Sequence, residues 1–259
     1  MTSGRAAGPR REVGSVARAI ALLDALAESE AGLGVNELAR RIGVNASTAS
    51  RLLATLEAGG LVERSPGGPY RLGLKLVSLS DRVLEGVDVR DRARPWLLTL
   101  VDETGETATL SVPGAGAAIT VDFVPAPSSV VSMARLGRPS VPHATAAGKV
   151  MLAFGGDVAL SRGSDLTAYT ERTITDPDAL VRELADIRER GVAEAIGERE
   201  PDLAAMAAPV IGRGDELVAI IGLQGPASRL PVAKRRTLEG PLRRAAAEVG
   251  RLLGGPGAV

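Results

Sequence analysis

Apolar residues at helical spacing predict that the ordered part of the chain begins with an amphipathic helix. Val13, Val16 and Ile20 start a stripe whose steps of three and four indicate a helix that runs to about Glu28. Residues 1–12 before it are small, polar and basic, and we expect them to form an arm rather than a folded element.

The next two predicted helices are short and are joined by a tight turn. The second spans about 36–42, with Asn36 as its expected N-cap, and Gly43 provides the backbone freedom that ends it. The third has Asn45 as its N-cap and continues to about Ala58, where two glycines stop it. Two short helices joined in this way are the helix–turn–helix pattern.

A pair of short strands is predicted after the third helix. Leu61 and Val62 begin the first strand, a Pro/Gly-rich turn follows, and the second strand starts at Tyr70. Three helices followed by two strands predict a winged helix–turn–helix domain at 10–73. A linker helix is predicted directly after it, at 74–88.

Beyond the linker, helices alternate with short strands. Helical spacing predicts helices at 89–104, 143–154, 177–190 and 232–253, with Pro142 before the second and Asp176 as the cap of the third. Strand-like segments are expected at 107–112, 118–124, 129–133, 203–211 and 217–223, the last two as an antiparallel hairpin. This order predicts an α+β domain at 89–257 that is built around an antiparallel sheet.

The third helix has a polar face opposite its packing face. Ser47, Ser50 and Arg51 offer hydroxyls and a guanidinium on a surface that is small enough to enter the major groove of DNA. Residues 1–75 carry ten Lys/Arg against seven Asp/Glu, and the remainder carries 21 against 24, so the basic excess lies in this domain. The candidate DNA contacts are Arg10, Arg11, Asn45, Ser47, Thr48, Ser50, Arg51, Arg64, Tyr70 and Arg71.

Composition restricts the other classes of function. The chain is 45% hydrophobic, 24% charged and free of cysteine, which is typical of a cytoplasmic globular protein. No apolar run approaches the roughly 20 residues that a transmembrane helix needs. Aromatic residues make up only 2%, which argues against binding of single strands by base stacking.

Catalytic chemistry has no positive signal in the sequence. His143 is the only histidine, and we interpret it as a packed residue, with a hydrolase that uses His143 as the alternative. The segment around Lys149 lacks the glycine and hydroxyl of a phosphate-binding loop. We interpret the acidic run at 194–202 as a solvated loop, and we expect neither a cofactor nor a metal.

Eight segments, in order and spacing, resemble the IclR family of bacterial transcriptional regulators. They cover about residues 12–253 and read VARAIALLDAL, VNELARRIGVNASTASRLLATLEAGGLVER, YRLG, TGETATL, HATAAGKVMLA, LVRELADIRERGVA, AAPV and LQGPASR. The resemblance implies operator binding by the winged helix, a GAF-like effector-binding domain, and assembly into dimers or tetramers. It implies a repressor or activator whose affinity for DNA is changed by a small molecule, which requires different effector affinities in two conformations.

The resemblance also implies where the effector binds. In the family the ligand lies between the HATAAGK segment and two strands, which here read LAAMAAPV and IIGLQG. The implied pocket residues are Ser129, Ser132, Ala146, Ala147, Leu203, Ala205, Gly222 and Gln224, and we add Arg135 as a candidate for orienting the ligand.

This chain departs from the members that bind small oxo-acids. Alanines 195 and 205 replace an acidic residue and a cysteine, and Gly222 and Gln224 replace serines. Loss of these short donors predicts a ligand that is larger or more apolar than a two- or three-carbon acid.

Overall fold

A computed structural model describes residues 13–65, 68–79, 88–128, 134–155 and 166–255. The chain divides into two compact units, Met1–Gly86 and Val87–Val259. No helix in the described ranges is both long and apolar enough to cross a lipid bilayer.

The N-terminal unit is a winged helix. Its elements are α1 (Gly14–Ala27), α2 (Val35–Arg41), α3 (Ala46–Ala58), β1 (Val62–Arg64) and β2 (Tyr70–Leu72). The two strands pair antiparallel, with Val62 opposite Leu72, and residues 75–79 are helical where the linker helix was predicted. The rest of the predicted linker, 80–87, lies outside the described residues.

The turn between α2 and α3 forms as the sequence predicts. Gly43 has φ 67°, and the Asn45 side chain accepts a hydrogen bond of 2.8 Å from the Thr48 N–H, which caps α3. The prediction of Asn36 as the cap of α2 is wrong, because the helix begins at Val35 and its N-cap is Gly34, two residues before Asn36.

The face that α1 presents to the core differs from the predicted face. Leu22 and Leu26 are buried against α2 and α3, while Val13, Val16 and Ile20 are 65%, 56% and 54% exposed. The helix therefore has two apolar stripes, and the one that dominates the sequence pattern faces solvent in the single chain.

The C-terminal unit is built around a five-stranded antiparallel sheet. Its elements are α4 (Asp88–Thr104), β3 (Thr107–Pro113), β4 (Ala118–Val124), α5 (Ala146–Phe154), α6 (Pro177–Arg190), β5 (Ala193–Ile196), β6 (Leu203–Ile211), β7 (Leu217–Pro226) and α7 (Val232–Leu252). The strands are ordered β4-β3-β7-β6-β5. The predicted α+β architecture with an antiparallel sheet is confirmed, whereas the predicted strand at 129–133 lies outside the described residues.

Helices pack against the sheet. Because successive side chains of a strand point to opposite faces of the sheet, alternate residues contact different helices. On β6, Ala207 packs with the cluster formed by α5 and α6, whereas its neighbours Met206 and Ala208 are also buried and point to the opposite side. Helices α4 and α7 pack against each other and against the sheet. Helix α6 has the predicted cap, with Asp176 accepting from the Asp178 and Ala179 N–H groups.

Candidate functional site

The polar face of α3 is free on the surface of the N-terminal unit. Ser47, Ser50 and Arg51 are exposed, whereas Ala49 and Leu53 on the opposite side are fully buried. The packing side holds the helix to the unit, so the hydroxyls and the guanidinium are available to a groove of DNA. Thr48 is half-buried, and Asn45 uses its side-chain oxygen as the helix cap.

The wing brings two of its three predicted contacts to the surface. Arg64 and Arg71 are exposed, but Tyr70 is only 7% exposed and belongs to the hydrophobic core. The assignment of Tyr70 to the DNA-facing surface is therefore wrong. Its ring instead carries the Arg64 guanidinium, 5.3 Å from the ring centre. The predicted contacts Arg10 and Arg11 lie outside the described residues.

An acidic residue on α2 holds the two arginines that follow it. The Glu37 carboxylate accepts from Arg40 at 2.7 and 3.0 Å and from Arg41 at 3.0 Å. These hydrogen bonds, first with Arg40 and then with Arg41, lower the pKa of Glu37 to about 2. Both guanidiniums on this helix are therefore engaged with a carboxylate, unlike the exposed Arg51 guanidinium, for which no carboxylate partner is seen among the described residues.

The C-terminal unit contains a cavity of about 470 Å³ between one face of the sheet and the start of α5. This volume falls in the range of small-molecule sites, roughly 300–1,000 Å³. Its floor has two chemically different halves. Thr109, Ser111 and Thr120 place hydroxyls on one half, and alanines and a glycine from β5, β6 and β7 form the other.

Strand register brings the hydroxyls together. Ser111 pairs with Thr120 across β3 and β4, and their oxygens are 3.4 Å apart. Thr109, two residues before Ser111, shares its face and pairs with Gly222 on β7. The sequence comparison with oxo-acid binders did not identify this set, although the alternation in TATLSV carries the signal.

Thr109 occupies the space that a side chain at position 222 would need. A Cβ atom placed on Gly222 would lie 2.6 Å from Thr109 Oγ1 and 3.2 Å from the Met206 carbonyl oxygen. A hydroxyl is therefore present beside Gly222, contributed by the neighbouring strand. The loss of short donors inferred at this position is offset in part by Thr109.

The wall opposite the floor is the amino end of α5. Thr145 caps the helix by accepting from the Gly148 N–H at 3.1 Å, and Ala146 and Ala147 of the first turn line the cavity. The first N–H groups of a helix lie at the positive end of its dipole, which favours an anion. Gly148 permits close packing, because a Cβ there would lie 2.6 Å from the backbone of Pro142.

Three arginines line the cavity at its rim. Arg135 was predicted, whereas Arg138 and Arg199 were not. Arg138 lies 3.8 Å from the Glu200 carboxylate, and the Arg199 guanidinium stacks 4.1 Å from the ring centre of Tyr169. The rim therefore has an excess of positive charge, which suits an anionic ligand.

All seven described residues of the predicted pocket meet at this one cavity: Arg135, Ala146, Ala147, Leu203, Ala205, Gly222 and Gln224. The other two, Ser129 and Ser132, lie outside the described residues. The rim residues Arg138, Arg199 and Glu200 were missed because they come from loops, where periodicity gives no signal.

The residues that the sequence offers for catalysis are held in packing contacts and ion pairs. His143 is buried, and its Nε2 lies 3.0 Å from the Thr167 carbonyl oxygen, as expected of a packed histidine. The interpretation of the acidic run as a solvated loop is wrong at two positions, since Glu194 lies in β5 and the Glu198 side chain is only 11% exposed. Within the described ranges no group of three or more His, Asp or Glu side chains could hold a metal ion.

Comparisons with known proteins connect both units to one family. Residues 15–66 match the family model described as the IclR helix-turn-helix domain, and residues 81–251 match the one described as bacterial transcriptional regulator IclR C-terminal. This chain belongs to the IclR family of bacterial transcriptional regulators. It is a transcriptional regulator with a helix–turn–helix DNA-binding domain and an effector-binding C-terminal domain.

Similarity to individual family members extends over nearly the whole chain. The HTH-type transcriptional regulator XynR of Escherichia coli K12 is 32% identical over 93% of this chain and 98% of its own. The crystal structure of a regulator from Alicyclobacillus acidocaldarius has a TM-score of 0.80 at 29% identity, covering 94% of this chain and 100% of that one. A homologue from Microbacterium hydrocarbonoxydans, crystallised with 4-hydroxybenzoate, has a TM-score of 0.76 at 25% identity, covering 92% and 98%.

Proposed function

We propose that this IclR-family member is a cytoplasmic repressor that binds operator DNA through α3 and releases it in response to an organic acid. The observation that carries the effector half of this proposal is that seven predicted residues, Arg135 among them, line one cavity together with two further arginines, Arg138 and Arg199. The observation that supports the DNA half is the exposed polar face of α3 above its buried packing side.

On DNA, α3 enters the major groove with its amino end, so that Ser47 and Ser50 contact phosphates or bases and Arg51 reaches a base edge. Arg64 and Arg71 of the wing contact the phosphate backbone of the DNA, and Arg10 and Arg11 of the arm follow a neighbouring groove of the duplex. Arg40 and Arg41 contribute less, because each already donates to Glu37.

Arg51→Ala tests the contact with bases. Loss of a bidentate contact to guanine is expected to weaken operator binding by about 1–3 kcal/mol and to relax preference at one base pair. Arg18→Ala removes an exposed arginine of α1 and is the matched control. Genome-wide binding of the purified protein to fragmented DNA identifies the operator for this assay. Equal losses in both variants would contradict a specific role for Arg51.

The exposed stripe on α1 supports a homodimer. Val13, Val16 and Ile20 follow the spacing of a helical seam, and we propose that a second copy of the chain covers them. Val16→Asp is then expected to shift the protein from dimer to monomer in sedimentation at equal concentration, and tetramers would show as a heavier species. Val181→Asp changes a comparably exposed valine of α6 and serves as the control. An unchanged dimer in the Val16 variant would refute this interface.

The cavity supports an effector that carries a carboxylate and further polar groups. The carboxylate lies at the amino end of α5 near Arg135, and Gln224 fixes its orientation. Thr109, Ser111 and Thr120 then face the remainder of the ligand and bind its hydroxyls. A two- or three-carbon acid would leave most of the 470 Å³ to water.

Calorimetry with gluconate, 4-hydroxybenzoate, glyoxylate and pyruvate tests this class of ligand. We expect the two larger acids to bind more tightly, with gluconate ahead because its hydroxyls can pair with the three floor residues. Binding of glyoxylate or pyruvate alone would refute the proposal. An acid that binds should also lower operator affinity, which distinguishes a repressor's inducer from a passive ligand.

The alternative is a hydrolase that uses His143. The contact of His143 Nε2 with the Thr167 carbonyl and its burial favour a packing role. We expect His143→Asn to lower the stability of the C-terminal unit while DNA binding and effector response persist. Turnover of an ester or amide substrate that disappears in this variant would establish the alternative.

A further inference from the structure

A buried lysine connects several elements of the C-terminal unit. Lys149 lies on α5 and is fully buried. Its Nζ donates to Glu183 Oε1 at 3.2 Å, to the Glu194 carbonyl oxygen at 3.0 Å and to Glu198 Oε1 at 2.8 Å. An ammonium group has three N–H donors, so Lys149 is saturated by α6, β5 and the turn that follows β5.

The carboxylate of its partner Glu198 is held in a buried place, which is unfavourable for a charged group. The side chain is 11% exposed, and its Oε2 is buried with no hydrogen-bond partner in the described chain. Burial raises the pKa of Glu198 above its ordinary value, and the charge of Lys149 opposes this only in part. Buried ion pairs add little net stability, so the main consequence of this pair is where it places the backbone.

The turn after β5 is fixed from a second side as well. The Glu198 carbonyl accepts from Thr173 Oγ1 at 2.6 Å, and the Gly197 carbonyl accepts from Thr170 Oγ1 at 2.6 Å. Gly197 has φ 67°, a conformation that few other residues adopt. The side chain of Glu198 and the backbone around it are therefore both anchored.

The anchored turn carries part of the cavity rim. Arg199 and Glu200 come directly after Glu198 and line the cavity, while Glu198 itself does not. At the other end of the connection, Ala146 and Ala147 form the cavity wall one turn before Lys149 on the same helix. The Lys149–Glu198 pair thus joins the helix that forms the wall to the turn that forms the rim.

We propose that Lys149 and Glu198 are positioning residues for effector binding. Their buried pair holds the rim residues Arg199 and Glu200 at a fixed distance from the amino end of α5. Neither member of the pair touches the ligand, and both act through the rim. This inference rests on the proposed role of the cavity as the effector site.

Hydrogen exchange on the full-length protein tests the positioning directly. Glu198→Ala removes the anchor, and Glu198→Gln retains an oxygen that can accept from Lys149 Nζ. Glu183→Ala is the matched control for Glu198→Ala, because it removes a carboxylate from the same lysine without touching the turn. Exchange is compared between a peptide that covers 197–203 and one from the centre of the β6–β7 hairpin.

Glu198→Ala is expected to accelerate exchange in 197–203 by about tenfold or more, since a hydrogen bond to a charged group corresponds to at least a decade in an equilibrium constant. The hairpin peptide should stay at the wild-type rate. Glu198→Gln should restore 197–203 to within about threefold of wild type. No acceleration in the Glu198→Ala variant, or equal acceleration in both peptides, would overturn the proposal.

Titration with gluconate and with 4-hydroxybenzoate measures the effect on binding. For whichever acid binds the wild-type protein, Glu198→Ala is expected to raise Kd by about tenfold. Glu183→Ala should change Kd by less than about twofold, and an equal loss in both alanine variants would contradict the role of the turn. If neither acid binds, the proposed ligand class fails, while the exchange result still decides whether the pair positions the rim.

Discussion

Adding one methyl group at position 222 is expected to destabilise the effector-binding domain by about 1–3 kcal/mol, the usual cost of overpacking. The new Cβ of Gly222→Ala would lie 2.6 Å from Thr109 Oγ1 and 3.2 Å from the Met206 carbonyl oxygen. Ordinary contacts between such atoms are about 3.5–4.0 Å, so Thr109 must leave its rotamer or β3 and β7 must separate. An off-rotamer side chain alone costs about 0.5–1.5 kcal/mol.

Urea unfolding followed by fluorescence measures this cost in the correct domain. Trp96 is the only tryptophan of the chain and lies on α4, so its emission reports unfolding of the C-terminal unit. Thr109→Ala removes the atoms with which the new methyl group collides. In that background, Gly222→Ala should cost less than about 0.5 kcal/mol, which leaves a coupling energy of roughly 0.5–3 kcal/mol in the double-mutant cycle.

Additive effects of the two substitutions would refute this reasoning, because they would mean that Thr109 does not occupy the space beside Gly222. A changed slope of the free energy of unfolding against urea concentration would indicate an altered denatured state or an intermediate. The coupling energy should therefore be calculated only from variants whose slopes are equal. Gluconate binding by the same four proteins tests the site itself. We expect Thr109→Ala to weaken it whether or not position 222 carries a methyl group.

Three further predictions concern the DNA-binding domain. Leu53→Ala leaves a cavity at a fully buried position of α3 and should lower the free energy of unfolding by about 2–5 kcal/mol in calorimetry, and a loss below about 1 kcal/mol would contradict the packing described. Asn45→Ala removes the cap of α3 and should cost about 0.5–2 kcal/mol, whereas Asn45→Asp should retain most of the stability. Glu37 has a pKa lowered to about 2, so its contribution to the stability of the folded domain is complete above its ordinary pKa of 4.5 and is lost as the pH falls towards 2. A titration midpoint near 4.5 for this carboxyl group in NMR would refute its pairing with Arg40 and Arg41.

Local signals in the sequence were sufficient for the helix–turn–helix and the hairpin of the C-terminal unit. Asn45 and Gly43 each impose a conformation on their own backbone, so their roles do not depend on distant residues. Helix α1 shows where such signals fail. Val16 and Leu22 belong to two different apolar stripes, and periodicity does not distinguish a stripe that packs in the core from one that is left exposed.

The cavity was predictable in position and only partly in chemistry. Ala146 and Gly222 could be assigned by resemblance because they lie in segments whose order and spacing match the family. Arg138 and Arg199 lie in loops, whose course depends on tertiary contacts that a sequence pattern does not contain. Strand β5 was missed because Glu194 and its acidic neighbours suggested a solvated loop, although in the structure Ala193 and Ala195 are buried and alternate with the half-buried Glu194 and Ile196.

The close contact between Gly148 and the backbone of Pro142 has a consequence for anyone who wishes to build a sensor from this protein. Backbone packing fixes that wall of the cavity, and even a methyl group at position 148 would displace it. The opposite side of the cavity is formed by the sheet, where substitutions change shape and polarity without moving the chain, except at Gly222, which can be enlarged only if residue 109 becomes smaller. A library for new acid specificities should therefore randomise Thr109, Ala205, Ala207 and Gly222 together, and should retain 141–148 unchanged.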